Sequence, residues 1–338
     1  MTKPGKPLLA FTMGDPCGIG SEVMLRALVN RRARAAARFV IFGSEAVLRQ
    51  VAESFDLRFP RMTRISPGEA PGKKGGVLLL DEIRCAPALA LRGHATAAGG
   101  HASIAWIESA VAAAVRGEVD GIVTGPISKE AIHKAGHEWP GHTELIAARS
   151  GGKRPVMTMV GDGLRVALVT THVAVRDLPR AITRRKVLET LRVVHHDLRQ
   201  YFGIKRPRIA VCGLNPHAGE AGRFGDEEKR AIAPAVRHAR EEGIACDGPT
   251  PADVVFTKRH LARHDAVVAM YHDQATIPVK MIAFDRGVNV TLGLPIIRTS
   301  PDHGTAYDIV KKGIADPGST IEAIRLAAHM ATCRRRSR

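Results

Sequence analysis

The sequence predicts an α/β protein of two domains. Three observations carry that expectation. The 338 residues exceed what one small hydrophobic core accommodates. Short apolar runs of strand length alternate with amphipathic stretches of helix length. Three of those runs, residues 166–170, 209–212 and 266–271, end alike, each delivering a histidine: His172, His217 and His272. Strand–helix–strand alternation implies a parallel sheet with both faces covered, and such sheets bind ligands beyond the carboxyl ends of their strands.

Taken in order, residues 8–13 form the first apolar run, and Gly14-Asp15-Pro16-Cys17-Gly18-Ile19-Gly20 lead into helical periodicity through Val29. The glycine spacing is neither G-x-G-x-x-G nor a P-loop, so this turn reads equally as a tight connection or as a ligand contact. Residues 39–42 are a second strand. Residues 56–101 are punctuated by Pro and Gly and give one strand, 77–80. An Ala-rich helix spans 103–115, and a strand over 120–125 ends in Pro126-Ile127-Ser128-Lys129. Trp139-Pro140-Gly141-His142-Thr143-Glu144 is a turn opening a helix, whose N-terminus either favours an anion or is simply capped. The three histidine-ended strands follow, separated by helices over 182–201 and 226–242. A last helix over 319–330 closes the fold, and Arg334-Arg335-Arg336-Ser337-Arg338 is a solvated end.

Composition narrows the function. The net charge of +17 is compatible with a nucleic-acid partner or with an anionic small substrate. The arginines are scattered and aromatics make up only 4%, so stacking platforms for bases are scarce and nucleic acid is the remote alternative. The five cysteines have no C-x-x-C spacing, which suggests reduced thiols in a cytoplasmic setting. No apolar run has the length of a signal peptide or a membrane span.

Residues 269–308 concentrate the chemistry: His272, Asp273, Lys280, Asn289, Arg298, Asp302 and His303 stand among apolar runs. One histidine at a strand end is ordinarily a satisfied structural imidazole. Three in equivalent places suit a divalent ion.

The motifs, in their order, resemble a known family, the 4-hydroxythreonine-4-phosphate dehydrogenases of pyridoxal phosphate biosynthesis. They are Gly14-Asp-Pro-x-Gly-Ile-Gly20, Thr124-Gly-Pro-Ile-x-Lys129, Pro140-Gly-His-Thr-Glu144, Thr171-His172 with Arg176-Asp177, Gly213-Leu-Asn-Pro-His-Ala-Gly-Glu220, Gly248-Pro with Pro251-Ala-Asp253, Tyr271-His-Asp-Gln274, and residues 289–308. The resemblance covers about residues 8–331. It implies a two-domain α/β/α fold similar to isocitrate and isopropylmalate dehydrogenases, with the active site in an interdomain cleft shared across a homodimer. On that basis residues 1–130 with 300–338 form the first domain. Residues 131–299 form the second, holding the metal and interface residues.

The same resemblance implies that His172, His217 and His272 are the metal ligands, His272 reaching the site from the second subunit. It makes His142, Thr143, Lys280, Asn289 and Arg298 substrate-binding, and the segment His303, Gly304, Thr305, Ala306, Tyr307, Asp308 the nucleotide loop. The reaction implied is oxidation of an alcohol beta to a carboxylate by NAD or NADP, followed by decarboxylation. Neutral imidazole ligands suit zinc first, with magnesium or cobalt as alternatives. Lys280 is either a proton acceptor or a plain cation for an oxyanion. Asp253 and Asp273 either orient neighbouring groups or cap the surface. After Gln274 the chain reads Ala-Thr-Ile-Pro-Val-Lys280, wording closer to relatives acting on D-threonate or D-erythronate 4-phosphate, which are the alternative substrates. The retained His142-Thr143 and Arg298 suit a phosphorylated substrate rather than the dihydrodiol of a third branch. A metal-binding scaffold without turnover is the remaining reading.

Overall fold

The computed structural model describes residues 5–66, 69, 76–83 and 85–337; residues 1–4 of the N-terminal run and Arg338 of the basic tail lie outside them. Among the described residues the strands are β1 (Leu8–Thr12), β2 (Arg38–Phe42), β3 (Met62–Arg64), β4 (Val77–Leu80), β5 (Gly121–Thr124), β6 (Val156–Gly161), β7 (Leu164–Leu168), β8 (Ile209–Cys212), β9 (Cys246–Thr250), β10 (Ala266–Ala269), β11 (Val288–Leu292) and β12 (Arg298–Pro301). The chain divides into two compact units, residues 1–153 with 294–332 and residues 154–293 with 333–338.

In the first unit the strands run in the order β3-β4-β2-β1-β5-β12, each paired in parallel with its neighbours. β1, β4, β5 and β12 are buried along their whole length, as a parallel sheet covered on both faces requires. The helix Ala97–Val115 packs on β1, β2 and β5 and buries Trp106 completely. It starts six residues before the expected 103 because Gly99-Gly100, which look like breakers, lie inside it. A Cβ on Gly100 would stand 2.0 Å from the Ala131 carbonyl oxygen, so glycine is what lets the helix Lys129–Lys134 cross here. That helix and His142–Ser150 both pack on Ala97–Val115, which is why residues 131–153, assigned from sequence to the second domain, belong to the first compact unit.

In the second unit the order is β11-β6-β7-β10-β8-β9. β7, β10, β8 and β9 pair in parallel. The β6–β7 and β11–β6 pairings are antiparallel, so the expected purely parallel sheet is mixed here. The reason is a hairpin at Asp162-Gly163, both with positive φ (45° and 87°), the Asp-Gly signature of a tight turn whose twist matches its strands. The core joins Met159, Val166, Leu168, Ala210, Cys212, Val267, Ala275 and Val279. The helix Arg184–Phe202 is capped by Thr183 and buries Val187, Leu191, Val194 and Leu198, a helical stripe. The second expected helix opens instead with a π turn, Glu228–Ile232, before Ala233–Glu241.

The C-terminal helix runs Gly318–Ser337, past the expected end at 330. Arginine is a good helix former and cations suit a helix C-terminus, so the basic residues extend the helix rather than fray it. No helix among the described residues is long and apolar enough to cross a membrane.

Candidate active site

In the first unit the polar groups gather where β5 ends and β12 begins. Arg298, the first residue of β12, is only 2% exposed, and its Nη2 donates to Thr124 Oγ1 at 2.9 Å. Burial pushes the guanidinium down to about 10, opposed by the nearby Glu144 carboxylate. The charge survives at neutral pH, so the fold carries a desolvated cation. His142 begins the helix His142–Ser150, with Gly141 at the N-cap. The residue is partly exposed, yet its Nε2 is closed off from solvent and without a hydrogen-bond partner. Burial first and the Arg298 charge second hold this imidazole well below its usual range; a hydrogen bond with the Gly125 backbone works the other way. A helix N-terminus with its N–H groups, a guanidinium and a hydroxyl are together a chemistry that can hold an oxyanion. Thr143 stands half-buried in the same first turn.

The pH dependence follows from His142. The unfolded chain takes up the proton near pH 6.5 while the folded chain resists it, so stability falls as pH drops below that value. One proton sets a limiting slope of about 1.4 kcal/mol per pH unit. His142→Gln is expected to flatten the loss of Tm on acidification from about pH 7 to about pH 5. Parallel Tm–pH curves for the two proteins would refute this assignment.

The segment after β12 is tied to the Gly-Asp-Pro turn. Tyr307 donates its hydroxyl to Asp15 Oδ2, Ile19 N–H donates to the Thr305 carbonyl at 3.0 Å, and Asp15 Oδ1 accepts the Cys17 N–H at 2.8 Å. Burial raises the Asp15 carboxyl, and it raises the Tyr307 hydroxyl too, with Asp15 adding to the latter. Gly14 has φ +77° and a Cβ there would sit 2.3 Å from the Pro126 carbonyl oxygen, so its role in the turn is close packing. Of the residues expected in the nucleotide loop, Gly304 and Asp308 are exposed, Thr305 is half-buried, and His303 Nε2 is closed off without a partner.

In the second unit, His172, His217 and His272 follow β7, β8 and β10, three adjacent parallel strands. The His172 and His272 rings lie 5.7 Å apart between centroids. His217 instead faces Phe224 at 6.2 Å. His272 Nδ1 is 2.7 Å from Asp273 Oδ1, so Nε2 is the ring nitrogen that can take a ligand. The donor chemistry fits a divalent ion that accepts imidazole nitrogen. Among the described residues no group of three ligating side chains is already gathered in one chain.

Lys280 is exposed on the helix His272–Ala283, and of its two expected roles the plain cation needs no desolvation. Asn289, on β11, has a buried Oδ1 with no donor. Asp253 is exposed in the first turn of Ala252–Val255. Sequence reasoning passed over Gln274, whose amide bridges strand ends: it accepts Met270 N–H at 2.6 Å and donates to the Gly213 carbonyl at 2.8 Å. Its place beside His272-Asp273 was the available signal.

The family model described as "Pyridoxal phosphate biosynthetic protein PdxA" matches residues 35–327. A 4-hydroxythreonine-4-phosphate dehydrogenase from Geobacter metallireducens is 48% identical over 329 residues, 96% of each chain. The crystal structure of a 4-hydroxythreonine-4-phosphate dehydrogenase from Klebsiella pneumoniae superposes with a TM-score of 0.87 at 39% identity, covering 98% of this chain and 99% of that one. A terephthalate 1,2-cis-dihydrodiol dehydrogenase from Burkholderia xenovorans superposes less well, with a TM-score of 0.67 at 30% identity over 96% of this chain and 98% of that one.

Proposed function

The chain belongs to the PdxA family, the 4-hydroxythreonine-4-phosphate dehydrogenases of pyridoxal phosphate biosynthesis, and from that premise we infer which of its residues carry the reaction. It is an oxidoreductase acting on the CH–OH group of a phosphorylated substrate. We assign the hydride acceptor to NAD or NADP at the segment His303, Gly304, Thr305 and Asp308. The metal, zinc before magnesium or cobalt, belongs to His172, His217 and His272. When bound it supplies a Lewis acid that lowers the pKa of the substrate alcohol and polarises the carbonyl that follows.

The chain's own groups do the rest. Arg298 presents a bidentate fork to an oxyanion, and the first-turn N–H groups at His142 and Thr143 add donors to it. His142, kept neutral, orients a substrate hydroxyl or amine through Nε2 rather than adding a second cation. Asn289 Oδ1 accepts from a substrate donor. Lys280 takes the alcohol proton if the bound substrate desolvates it, and otherwise neutralises an oxyanion. Asp273 sets the tautomer of His272; Asp253 is assigned to orienting the same groups. The observation that carries this reading is the Arg298–His142 corner: the fold keeps a desolvated cation beside a closed-off, unpaired imidazole nitrogen, a cost that an incoming anion and hydroxyl would offset.

The test is an absorbance assay for NADH or NADPH with three substrates: 4-phosphohydroxy-L-threonine, D-threonate 4-phosphate and D-erythronate 4-phosphate. Turnover is expected with the first, giving a β-keto acid that loses carbon dioxide to yield 3-amino-2-oxopropyl phosphate. Preference for either sugar acid would move the chain to that branch, with dihydroxyacetone phosphate and carbon dioxide as products. No turnover with any of them, metal present, would sink the reading.

We also propose a homodimer. Ile277, Met281, Ile282 and Phe284, on and just after the helix that carries His272 and Lys280, are 56%, 82%, 47% and 74% exposed. So much clustered apolar surface beside a functional helix fits burial by a second copy. Met281→Asp with Phe284→Asp is expected to yield a monomer by sedimentation velocity with at least about tenfold lower activity. A double variant that stays dimeric would remove this face from the interface.

A further inference from the structure

Glu228 is 4% exposed, and its carboxylate is spent on one loop. Its Oε1 accepts the backbone N–H groups of Leu214 and Asn215 at 2.7 and 2.8 Å. Its Oε2 accepts Asn215 Nδ2 at 2.9 Å, and the same Nδ2 donates to Glu227 Oε2 at 2.7 Å. These are the two residues just before Pro216-His217, where the chain leaves β8. The loop is also shaped around that carboxylate: a Cβ on Gly219 would stand 2.6 Å from Glu228 Oε2, and one on Gly213 3.2 Å from Oε1.

What the carboxylate holds is an improbable backbone. Residues 217–221 all have positive φ, and only one of the five is glycine: His217 53°, Ala218 52°, Gly219 80°, Glu220 40°, Ala221 57°. L-residues resist this region, and such a run persists only where its surroundings over-determine it. Glu228 opens the π turn Glu228–Ile232, a rare local geometry that frequently marks functional sites.

We propose that Glu228 is the positioning residue for His217: its carboxylate fixes the exit of the loop from β8 and thereby the direction in which the imidazole is presented. The proposal rests on the reading of His217 as a metal ligand. It assigns Glu228 no contact with metal or substrate.

The test titrates Zn²⁺ into the full-length protein after chelator treatment, with a chromophoric chelator as competitor, for the unaltered chain, His217→Ala and Glu228→Gln. The amide of Glu228→Gln keeps the shape and loses the charge that two backbone N–H groups address. Its Zn²⁺ Kd is expected to weaken about 10- to 100-fold. Saturating Zn²⁺ is expected to restore kcat to near the unaltered value, with KM for the nicotinamide nucleotide unchanged. A merely structural role would lower Tm and leave the Zn²⁺ Kd alone. A Kd within about twofold of the unaltered protein overturns the proposal, being far below the tenfold floor of such effects. Should Glu228→Gln not fold, Asn215→Ala removes the side-chain half of the clamp; about tenfold weaker Zn²⁺ binding is expected, and unchanged binding overturns the proposal. If the unaltered chain holds no Zn²⁺, or His217→Ala holds it equally well, the metal reading itself falls and takes this one with it.

Discussion

Replacing His217 with alanine is expected to abolish turnover and metal retention while leaving the fold in place. His217 is exposed in the loop after β8, with its ring centroid 6.2 Å from that of Phe224, so little packing is lost. The stability change is expected to be on the order of 1 kcal/mol or less. The chemical loss is of another size. A Lewis acid contributes several kcal/mol of charge stabilisation, so its departure costs at least about 10³ in kcat. Metal content by elemental analysis, circular dichroism and the nucleotide-reduction assay on one preparation separate the two effects. Full turnover by His217→Ala, with metal still bound, would exclude a metal-assisted oxidation centred on this residue.

The parts of the fold that can be read from sequence are those where local pattern and burial agree. The strands over 77–80 and 209–212 are found at the bounds the sequence suggests, because each is a short apolar run, buried throughout and bounded by polar or glycine residues. Where local signals conflict with tertiary demands, reading fails. Gly99-Gly100 argue against a helix, but the close crossing at Ala131 overrides propensity. The helix His272–Ala283 contains Pro278 and five polar or charged side chains in its first five and last four residues, so its period is masked. β9, Cys-Asp-Gly-Pro-Thr, has no strand pattern and is held by its pairing with β8. The hairpin at Asp162-Gly163 was available to be seen, since Asp-Gly between two apolar runs is a strong turn signal.

The candidate site shows the same division. Histidines at strand ends stand out because their residue type is chemically conspicuous. Glu228 and Asp15 do not, because a buried carboxylate that serves backbone N–H groups looks in sequence like any surface acid. Nothing in the spacing of Glu228, eleven residues beyond His217, signals that the two are coupled. Their connection is made by the left-handed path of residues 217–221, a conformation that ordinary propensities argue against.

Arg298→Met is expected to separate stability from activity with opposite signs. The guanidinium is 2% exposed, and burial lowers its pKa to about 10 from 12.5, so folding pays for desolvating a charge that stays ionised at neutral pH. Methionine has a similar reach and no such cost. Thr124 Oγ1 loses its 2.9 Å donor and the guanidinium's other interactions go with it, which offsets part of the gain. The balance is a protein of equal stability or up to about 3 kcal/mol more stable, so Tm is expected to hold or to rise by several degrees. Activity moves the other way. Charge-assisted hydrogen bonds contribute about 1.5–3 kcal/mol each, and losing a bidentate pair to an oxyanion costs about 10² to 10⁴ in kcat/KM for the phosphorylated substrate. Because no contact of Arg298 is assigned to the nicotinamide nucleotide, its KM is expected to stay put. Inorganic phosphate or sulfate added to the variant is not expected to restore the rate, since the missing fork is fixed in the strand. A variant that keeps kcat/KM within about threefold, less than one such hydrogen bond contributes, would show that Arg298 is structural. A fall in Tm would show that its buried charge is stabilised by more than the Thr124 contact and the Glu144 carboxylate.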